Sequence, residues 1–173
     1  MKSTSERFLA ITALLIIAYE WLISGFDKIL SGNFVDSLHH QMMDGIANAQ
    51  YTFYADWLKK YCMAHCMVIG YIVEFGELAV GLSFLLLAIS VILKVNKPFF
   101  STLGIVTGLI GAFMTLNFFF YQGGSVFVNT SDPFDEGIPV DLILALFQLG
   151  ISLYFGLILR GARRQGKPAS ANF

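Results

Sequence analysis

Charged side chains are scarce in this chain. Asp, Glu, Lys and Arg together make up 13 % of its 173 residues, and the formal net charge at pH 7 is −1. So few charges cannot cover the surface of a soluble domain of this length. The lack of a large basic patch also argues against a nucleic-acid-binding protein.

Cysteine is equally scarce. The two cysteines, Cys62 and Cys66, cannot form the disulfide framework of a small secreted protein. Their C-x-x-x-C spacing lacks the two-residue interval of common redox and zinc motifs. No motif for haem, flavin or an iron–sulfur cluster is recognisable. Any redox chemistry would therefore use a bound substrate, thiols or a partner subunit.

Apolar residues, in contrast, make up 56 % of the chain and occur in long runs. Runs of about 20 such residues are typical of membrane-spanning helices. The predicted fold is an all-α, integral membrane four-helix bundle that forms a single domain over residues 1–173. The predicted spans cover approximately residues 8–30, 65–93, 99–121 and 138–159, and a basic polar tail covers 160–173. Because the first run lacks an A-x-A-like cleavage site, we expect it to be retained.

Lysine and arginine predict the orientation of these spans. They flank the N-terminus, the turn between spans two and three, and the C-terminus, and the loop after span three has none. By the positive-inside rule, both termini are predicted to be cytoplasmic, in the inner membrane. Residues 34–61, between spans one and two, are predicted to form an interfacial helical stretch, because Phe53, Trp57 and Tyr61 recur every four residues.

Three carboxyl side chains, Glu20, Glu74 and Glu77, lie well inside the predicted spans, away from their ends. An ionisable side chain there costs about 2.5–3.5 kcal/mol on insertion scales, so it is a functional-site hypothesis by default. Glu74 and Glu77 are three residues apart and share one face of a helix. Lys28 is a candidate counter-charge that would reach back to Glu20 from the outer surface.

The predicted topology collects the polar residues of the spans, with Asp141, in the outer half of the bundle. This arrangement predicts a hydrogen-bonding and proton-accepting pocket. The candidate catalytic residues are Glu77, Glu74 and Lys28, and the candidate cofactor-binding residues are Glu20, Trp21, Asn117 and Gln148. The alternative is that these groups hydrogen-bond to one another and only hold the helices together.

Soft metal ligands also cluster in the sequence near the two cysteines. The set comprises His39, His40, Met42, Met43, Cys62, Met63, His65, Cys66 and Met67. Such side chains suit a soft metal, and the cysteines alone suit redox-active thiols. Cysteine and methionine are, however, ordinary apolar residues in membrane helices, so we assign no metal site.

Three short motifs resemble those of the DoxX/DoxD superfamily of small four-helix membrane proteins. They are Arg7 before span one, Gly25-Phe26-Asp27-Lys28 (G-x-x-K) at its end, and Glu77-Leu78-Ala79-Val80-Gly81 (E-x-x-x-G) in span two. The resemblance extends from about Arg7 to Arg160. Glu20, Glu74 and the cysteine pair lie outside these motifs.

The resemblance implies a redox role. The DoxD branch is the membrane subunit of a thiosulfate:quinone oxidoreductase, which implies quinone as the cofactor and a protein partner in the membrane. Lys28 would attract an anion, and Glu77 would hydrogen-bond or exchange a proton with a quinone carbonyl. Two alternatives stay open. One is a non-catalytic accessory subunit of a larger respiratory or other membrane complex, held through Gly104, Gly108 and Gly111. The other is a protein that handles a small anion or a soft metal.

Overall fold

The computed structural model describes residues 4–95, 98–124 and 140–165, and their side chains as far as residue 161. The described chain is helical and contains no strand. Its α-helices are α1 (Thr4–Ser31), α2 (Phe34–Asn48), α3 (Thr52–Trp57), α4 (Cys66–Ile92), α5 (Pro98–Tyr121) and α6 (Val140–Gln165). A π-helical turn, Leu58–Cys62, and a 3-10 turn, Met63–His65, join α3 to α4.

Four helical segments are long and apolar enough to cross a membrane: Thr4–Ser31, Thr52–Ile92, Pro98–Tyr121 and Val140–Gly161. Large apolar side chains are exposed along all four, which suits contact with lipid. The prediction of an all-α, multi-pass membrane protein is confirmed. The second segment begins at Thr52 and not at residue 65, because the residues after Tyr51 stay helical up to α4. Most of the predicted loop after span three, and the end of the predicted basic tail, fall on residues 125–139 and 166–173, which lie outside the described residues.

Helices α1 and α4 pack antiparallel at a short distance. A Cβ atom on Gly25 would lie 2.9 Å from Cδ2 of Leu78, and one on Gly81 would lie 2.8 Å from Cγ of Leu22. Glycine at both positions therefore allows the two backbones to approach closely. The close approach brings the C-terminal turn of α1, with Lys28, beside the middle of α4.

Helices α5 and α6 form the second antiparallel pair. The glycines of α5 face this contact: a Cβ on Gly108 would lie 2.8 Å from the backbone oxygen of Gln148 and 2.9 Å from Cβ of Ser152. Gly104 faces the ring of Phe155 in the same way, and Gly111 faces the Gln148 side chain. The predicted close packing along this stripe is confirmed. Its predicted use as a docking face for a larger complex is wrong, because α6 of the same chain covers it.

The C-terminus of α4 is capped by its own backbone and by α1. Lys94 has φ of +57°, and the N–H groups of Lys94 and Val95 donate to the carbonyls of Val91 and Ser90 at 3.3 Å and 2.9 Å. This is a Schellman cap. The Arg7 guanidinium donates to the carbonyls of Val91 and Ile92 at 2.6–3.1 Å. Arg7, the first residue of the resemblance, therefore fixes the start of α1 to the end of α4.

Two apolar cores lie within the bundle. The larger one is built around Trp21, Phe84 and Leu87 and lies among α1, α4 and α6. The smaller one contains Leu38, Tyr54 and Cys62, with other residues of α2 and of the helical segment before α4. Side chains of both cores line the cavity described next.

Candidate functional site

A cavity of about 610 Å³ is lined by α1, α2, the Thr52–Cys62 segment, α4, α5 and the start of α6. This volume is within the range of about 300–1,000 Å³ that is usual for small-molecule sites. Apolar and aromatic side chains form most of the wall, including Trp21, Phe34, Tyr54, Trp57, Phe113, Phe118 and Tyr121. The polar side chains in the wall are Glu20, Ser24, Lys28, Gln41, Asn117, Gln122 and Asp141.

Lys28 and Glu77 form an ion pair beside this cavity. The Nζ atom of Lys28 lies 2.8 Å from Oε2 of Glu77 and also donates to Oγ of Ser24 at 2.8 Å. The Glu77 side chain is fully enclosed, whereas that of Lys28 is 21 % exposed. Ser24 precedes Lys28 by four residues on α1, so one helical turn and one neighbouring helix hold the ammonium group.

Among the described residues, the Lys28 ammonium has hydrogen-bond acceptors for two of its three N–H bonds. Its contacts with Ser24 and Glu77 use two of the three N–H bonds that an ammonium group carries. The rings of Phe34 and Phe118 lie 5.4 Å and 5.9 Å from Nζ and stabilise the charge through their π-electrons. A ligand with a carbonyl or hydroxyl oxygen in the cavity would therefore meet a donor that is already held in place.

Glu77 does not line the cavity, because Lys28 lies between the Glu77 carboxylate and the cavity. Its second oxygen, Oε1, is buried without a hydrogen-bond partner among the described residues. In this arrangement Lys28, and not Glu77, is the member of the ion pair that lines the cavity. Glu74, three residues earlier, is also buried, and it too is absent from the cavity wall.

Glu20 and Asp141 give the cavity its remaining formal charges. The sequence suggested that Lys28 would reach back to Glu20, but the ion pair that it forms is with Glu77. Glu20 is exposed and lies within electrostatic range of Asp141, whose negative charge repels it, and of Lys28, which attracts it. Glu77 compensates the Lys28 charge, and Glu20 and Asp141 have no ion-pair partner among the described residues, so the two acids disfavour an anionic ligand.

Gln148 lies beneath the cavity wall and is fully buried. Its Oε1 accepts a hydrogen bond from Nε1 of Trp21 at 3.3 Å, and its Nε2 donates to Oγ1 of Thr115 at 2.9 Å. Thr115 in turn donates to the backbone oxygen of Gly111 at 2.8 Å. Gln148 therefore connects α6 to α1 and α5 and orients Trp21. It is not itself part of the cavity wall.

Asn117 lines the cavity and also ties the helical segment before α4 to α5. Its Nδ2 donates to the backbone oxygen of Phe113 at 2.8 Å, and its own backbone oxygen accepts from the Tyr54 hydroxyl at 3.0 Å. The predicted cofactor-binding set is thus divided. Glu20, Trp21 and Asn117 lie in the cavity wall, and Gln148 supports that wall from behind.

The cysteines and the other soft ligands do not converge on one point. Cys62 is buried and lines the cavity, and Cys66 is half-buried; both are free thiols. His39 and His40 are exposed on α2. Among the residues that the structure describes, no three His, Cys, Asp or Glu side chains are grouped closely enough to hold a metal ion.

Several functional neighbours were missing from the sequence prediction. Ser24 was detectable, since it is four residues from Lys28 on the same helix. Thr115 and Tyr54 carry no such signal, because their partners lie on other helices. Trp57 was predicted as an interfacial ring, and it also lines the cavity with Trp21, so both tryptophans of the chain contact this site.

Comparison with protein-family models, with curated proteins and with solved structures finds no match. The features of this chain that bear on its function are the cavity, the side chains of its wall and the short motifs that contain Arg7, Lys28 and Glu77.

Proposed function

We propose that this chain is a redox subunit of the DoxX/DoxD type that binds a quinone in the cavity and works with a partner protein in the membrane. The observation that carries the proposal is the ammonium group of Lys28, fixed by Glu77 and Ser24 in the wall of a largely apolar cavity. This combination suits a ligand with an apolar body and a carbonyl acceptor.

A quinone has that chemistry. Its flat ring suits the aromatic walls provided by side chains such as Trp21 and Phe118, and one carbonyl oxygen can accept the remaining Lys28 N–H. A quinone is also uncharged, so the carboxylates of Glu20 and Asp141 do not repel it. A small anion such as thiosulfate is a poorer occupant of this cavity, because it would meet both carboxylates while the Lys28 charge is already compensated.

Reduction of a quinone to a quinol takes two electrons and two protons. The Lys28 N–H would stabilise the negative charge that develops on the carbonyl oxygen. Glu20 and Asp141, which border the cavity, would accept protons and pass them on. The electrons would come from a partner that oxidises a reduced sulfur compound, as the family resemblance implies.

The distribution of basic residues supports an orientation with both termini in the cytoplasm. Lys28, at the end of α1, would then lie towards the outer side of the inner membrane, and the cavity with it. The helical segment between α1 and α4, with its exposed Phe53, Trp57 and Tyr61 rings, would lie at the outer interface. The quinone tail would extend between the apolar outer faces of the helices.

Purification from native membranes in mild detergent tests the proposal. The quinone in an organic extract is quantified per chain, and the co-migrating proteins are identified by mass spectrometry. We expect stoichiometric quinone and a sulfur- or thiol-oxidising partner. In Lys28→Met/Glu77→Leu, which removes both charges together, the quinone should be lost, whereas Lys59→Met, at an exposed lysine outside the cavity, should retain it. Equal amounts of quinone in all three preparations would show carry-over with lipid and contradict the proposal.

A further inference from the structure

The two cysteines lie on the segment that joins the cavity to α4. Cys62 is 2 % exposed and its side chain lines the cavity, whereas Cys66, four residues later, is half-buried and is not part of the cavity wall. Both are free thiols, and Cys62 lies within electrostatic range of Cys66. One thiol is thus next to the ligand site, and its neighbour is the less buried of the two.

The backbone between these cysteines is not α-helical. A π-helical turn ends at Cys62, a 3-10 turn covers Met63–His65, and His65 has φ of −124° and ψ of 26°. In an α-helix, Cβ atoms four residues apart are about 5–6 Å from each other, but a disulfide requires about 3.5–4.5 Å. In a regular α-helix the pair would therefore be too far apart for a disulfide by roughly 1–2 Å, but the turns between Cys62 and Cys66 depart from that geometry. Irregular turns of this kind are frequent at functional sites.

We propose that Cys62 and Cys66 are a redox pair that reduces the quinone in the cavity, so that the chain is a thiol:quinone oxidoreductase. This inference depends on the proposed function, because the bound quinone is the oxidant. It goes further than the proposed function in two ways. It identifies the electron donor to the quinone as a pair of thiols in this chain, and it identifies the partner as a molecule that carries thiols.

The reaction balances with these groups alone. The two S–H bonds of Cys62 and Cys66 break, one S–S bond forms between them, and two O–H bonds form on the quinone. Cys62 first adds to the quinone ring, Cys66 then attacks the Cys62 sulfur, and the electron pair of the broken C–S bond stays on the quinol. The protons of the two thiols end on the quinol oxygens.

The oxidised pair is reset by thiol–disulfide exchange. An incoming dithiol attacks the disulfide at the sulfur of Cys66, the less buried of the two residues, and its own two thiols become the disulfide that leaves. A disulfide across a single helical turn is strained and therefore more easily reduced than a relaxed one. The same strain means that a strong oxidant is needed to form it, and a quinone fulfils that role.

The test uses the full chain, reduced and freed of reductant, in nanodiscs under anaerobic conditions. Decylubiquinone is added, quinol formation is followed by ultraviolet absorbance, and the intact mass of the protein is measured. We expect one quinol per chain, a loss of the mass of two hydrogen atoms, and a peptide pair linked through Cys62 and Cys66. In Cys66→Ser, decylubiquinone should still quench tryptophan fluorescence, while quinol formation and the mass loss should disappear.

The other outcomes separate this inference from the proposed function. If decylubiquinone quenches fluorescence saturably but both thiols stay reduced in the wild type, the thiol inference is overturned and quinone binding stands. A mass gain equal to one quinone would indicate a stable covalent adduct and would also overturn electron transfer between the thiols. If neither saturable quenching nor quinol is observed, both the inference and the proposed function fail.

Discussion

Glu77 is an enclosed carboxylate whose charge is compensated by one ammonium group. Its side chain is fully buried, its Oε2 contacts Lys28, and its Oε1 has no hydrogen-bond partner among the described residues. Burial of a charged pair is costly, so such a pair often adds little to stability and is kept for another purpose. The geometry suggests that purpose: Glu77 fixes the position of the Lys28 ammonium at the cavity wall.

Removal of one partner should therefore cost more than removal of both. In Lys28→Met, the Glu77 carboxylate is left buried without its partner, and we expect the free energy of unfolding to fall by about 3–5 kcal/mol. Lys28→Met/Glu77→Leu should recover most of this loss, because no buried charge remains. Unfolding by sodium dodecyl sulfate, followed by circular dichroism, measures both values. Equal losses in the single and double variants would contradict this account of the pair.

Gln148 should act on the cavity through Trp21. In Gln148→Leu, the Nε1 of Trp21 and the hydroxyl of Thr115 both lose a hydrogen-bond partner in a buried place. We expect the free energy of unfolding to fall by about 1–3 kcal/mol, with a blue shift of the tryptophan emission maximum. Ser152→Ala, also on α6, is the control and should leave the emission unchanged. A Gln148→Leu emission spectrum identical to that of the wild type would mean that Gln148 does not orient Trp21.

At the scale of single residues, the sequence predicted which side chains belong to the site better than it predicted the contacts between them. The cost of charge in a membrane selected Glu20, Glu74 and Glu77 without any structural information. It did not pair Lys28 correctly, because Glu20 is its neighbour on α1 and Glu77 becomes its neighbour only through the packing of α1 against α4. The position of Gln148 behind Trp21 likewise depends on a contact between distant helices.

At the scale of secondary-structure elements, the packing of α5 against α6 depends on glycine. A Cβ on Gly108 would lie 2.8 Å from a backbone oxygen of α6, and backbone cannot move aside as a side chain can. Gly108→Ala should therefore lower the free energy of unfolding by about 1–3 kcal/mol. Gly150→Ala, on the open side of α6 with no atom within 4 Å of the new Cβ, should be neutral or stabilising by up to about 1 kcal/mol. A similar effect of the two substitutions would contradict the observed packing.

The end of α4 offers a second test at this scale. Lys94 has φ of +57°, a conformation that costs about 1–2 kcal/mol for residues other than glycine. Lys94→Gly should raise the free energy of unfolding by about 1 kcal/mol. Lys94→Ala removes the same side chain but keeps the Cβ, so it is the matched control and should give no increase. If both variants are equally stable, the backbone conformation of Lys94 does not lower the free energy of unfolding.

Hydropathy was sufficient to predict the number of helical segments in the described chain that could cross a membrane, but not all of their limits. The third predicted span, residues 99–121, matches α5 within one residue, since Pro98 marks its start. The second helical segment begins at Thr52, and Tyr54 and Leu58 in its first turns pack against Leu38 and Met42 of α2. The π-helical and 3-10 turns over 58–65 have no sequence signal and follow from that packing.

On the scale of the whole molecule, the cavity arises where two packed units meet. Helices α1 and α4 form one antiparallel pair and α5 and α6 the other, while α2 and the Thr52–Cys62 segment close the space beside them. The sequence predicted a polar pocket in one half of the bundle. It could not predict the size of the cavity, or that Glu77 would lie behind Lys28, because both follow from helix rotation and separation.

A titration of tryptophan fluorescence with decylubiquinone in nanodiscs tests the central claim most directly. Both tryptophans of the chain, Trp21 and Trp57, line the cavity, so a bound quinone should quench their emission. We predict saturable quenching in the wild type and in Lys59→Met. In Lys28→Met/Glu77→Leu, the loss of a charged hydrogen bond should weaken binding by about tenfold or more. Quenching that rises linearly without saturation, and equally in all three proteins, would show that the quinone is only dissolved in the lipid and that the cavity does not bind it.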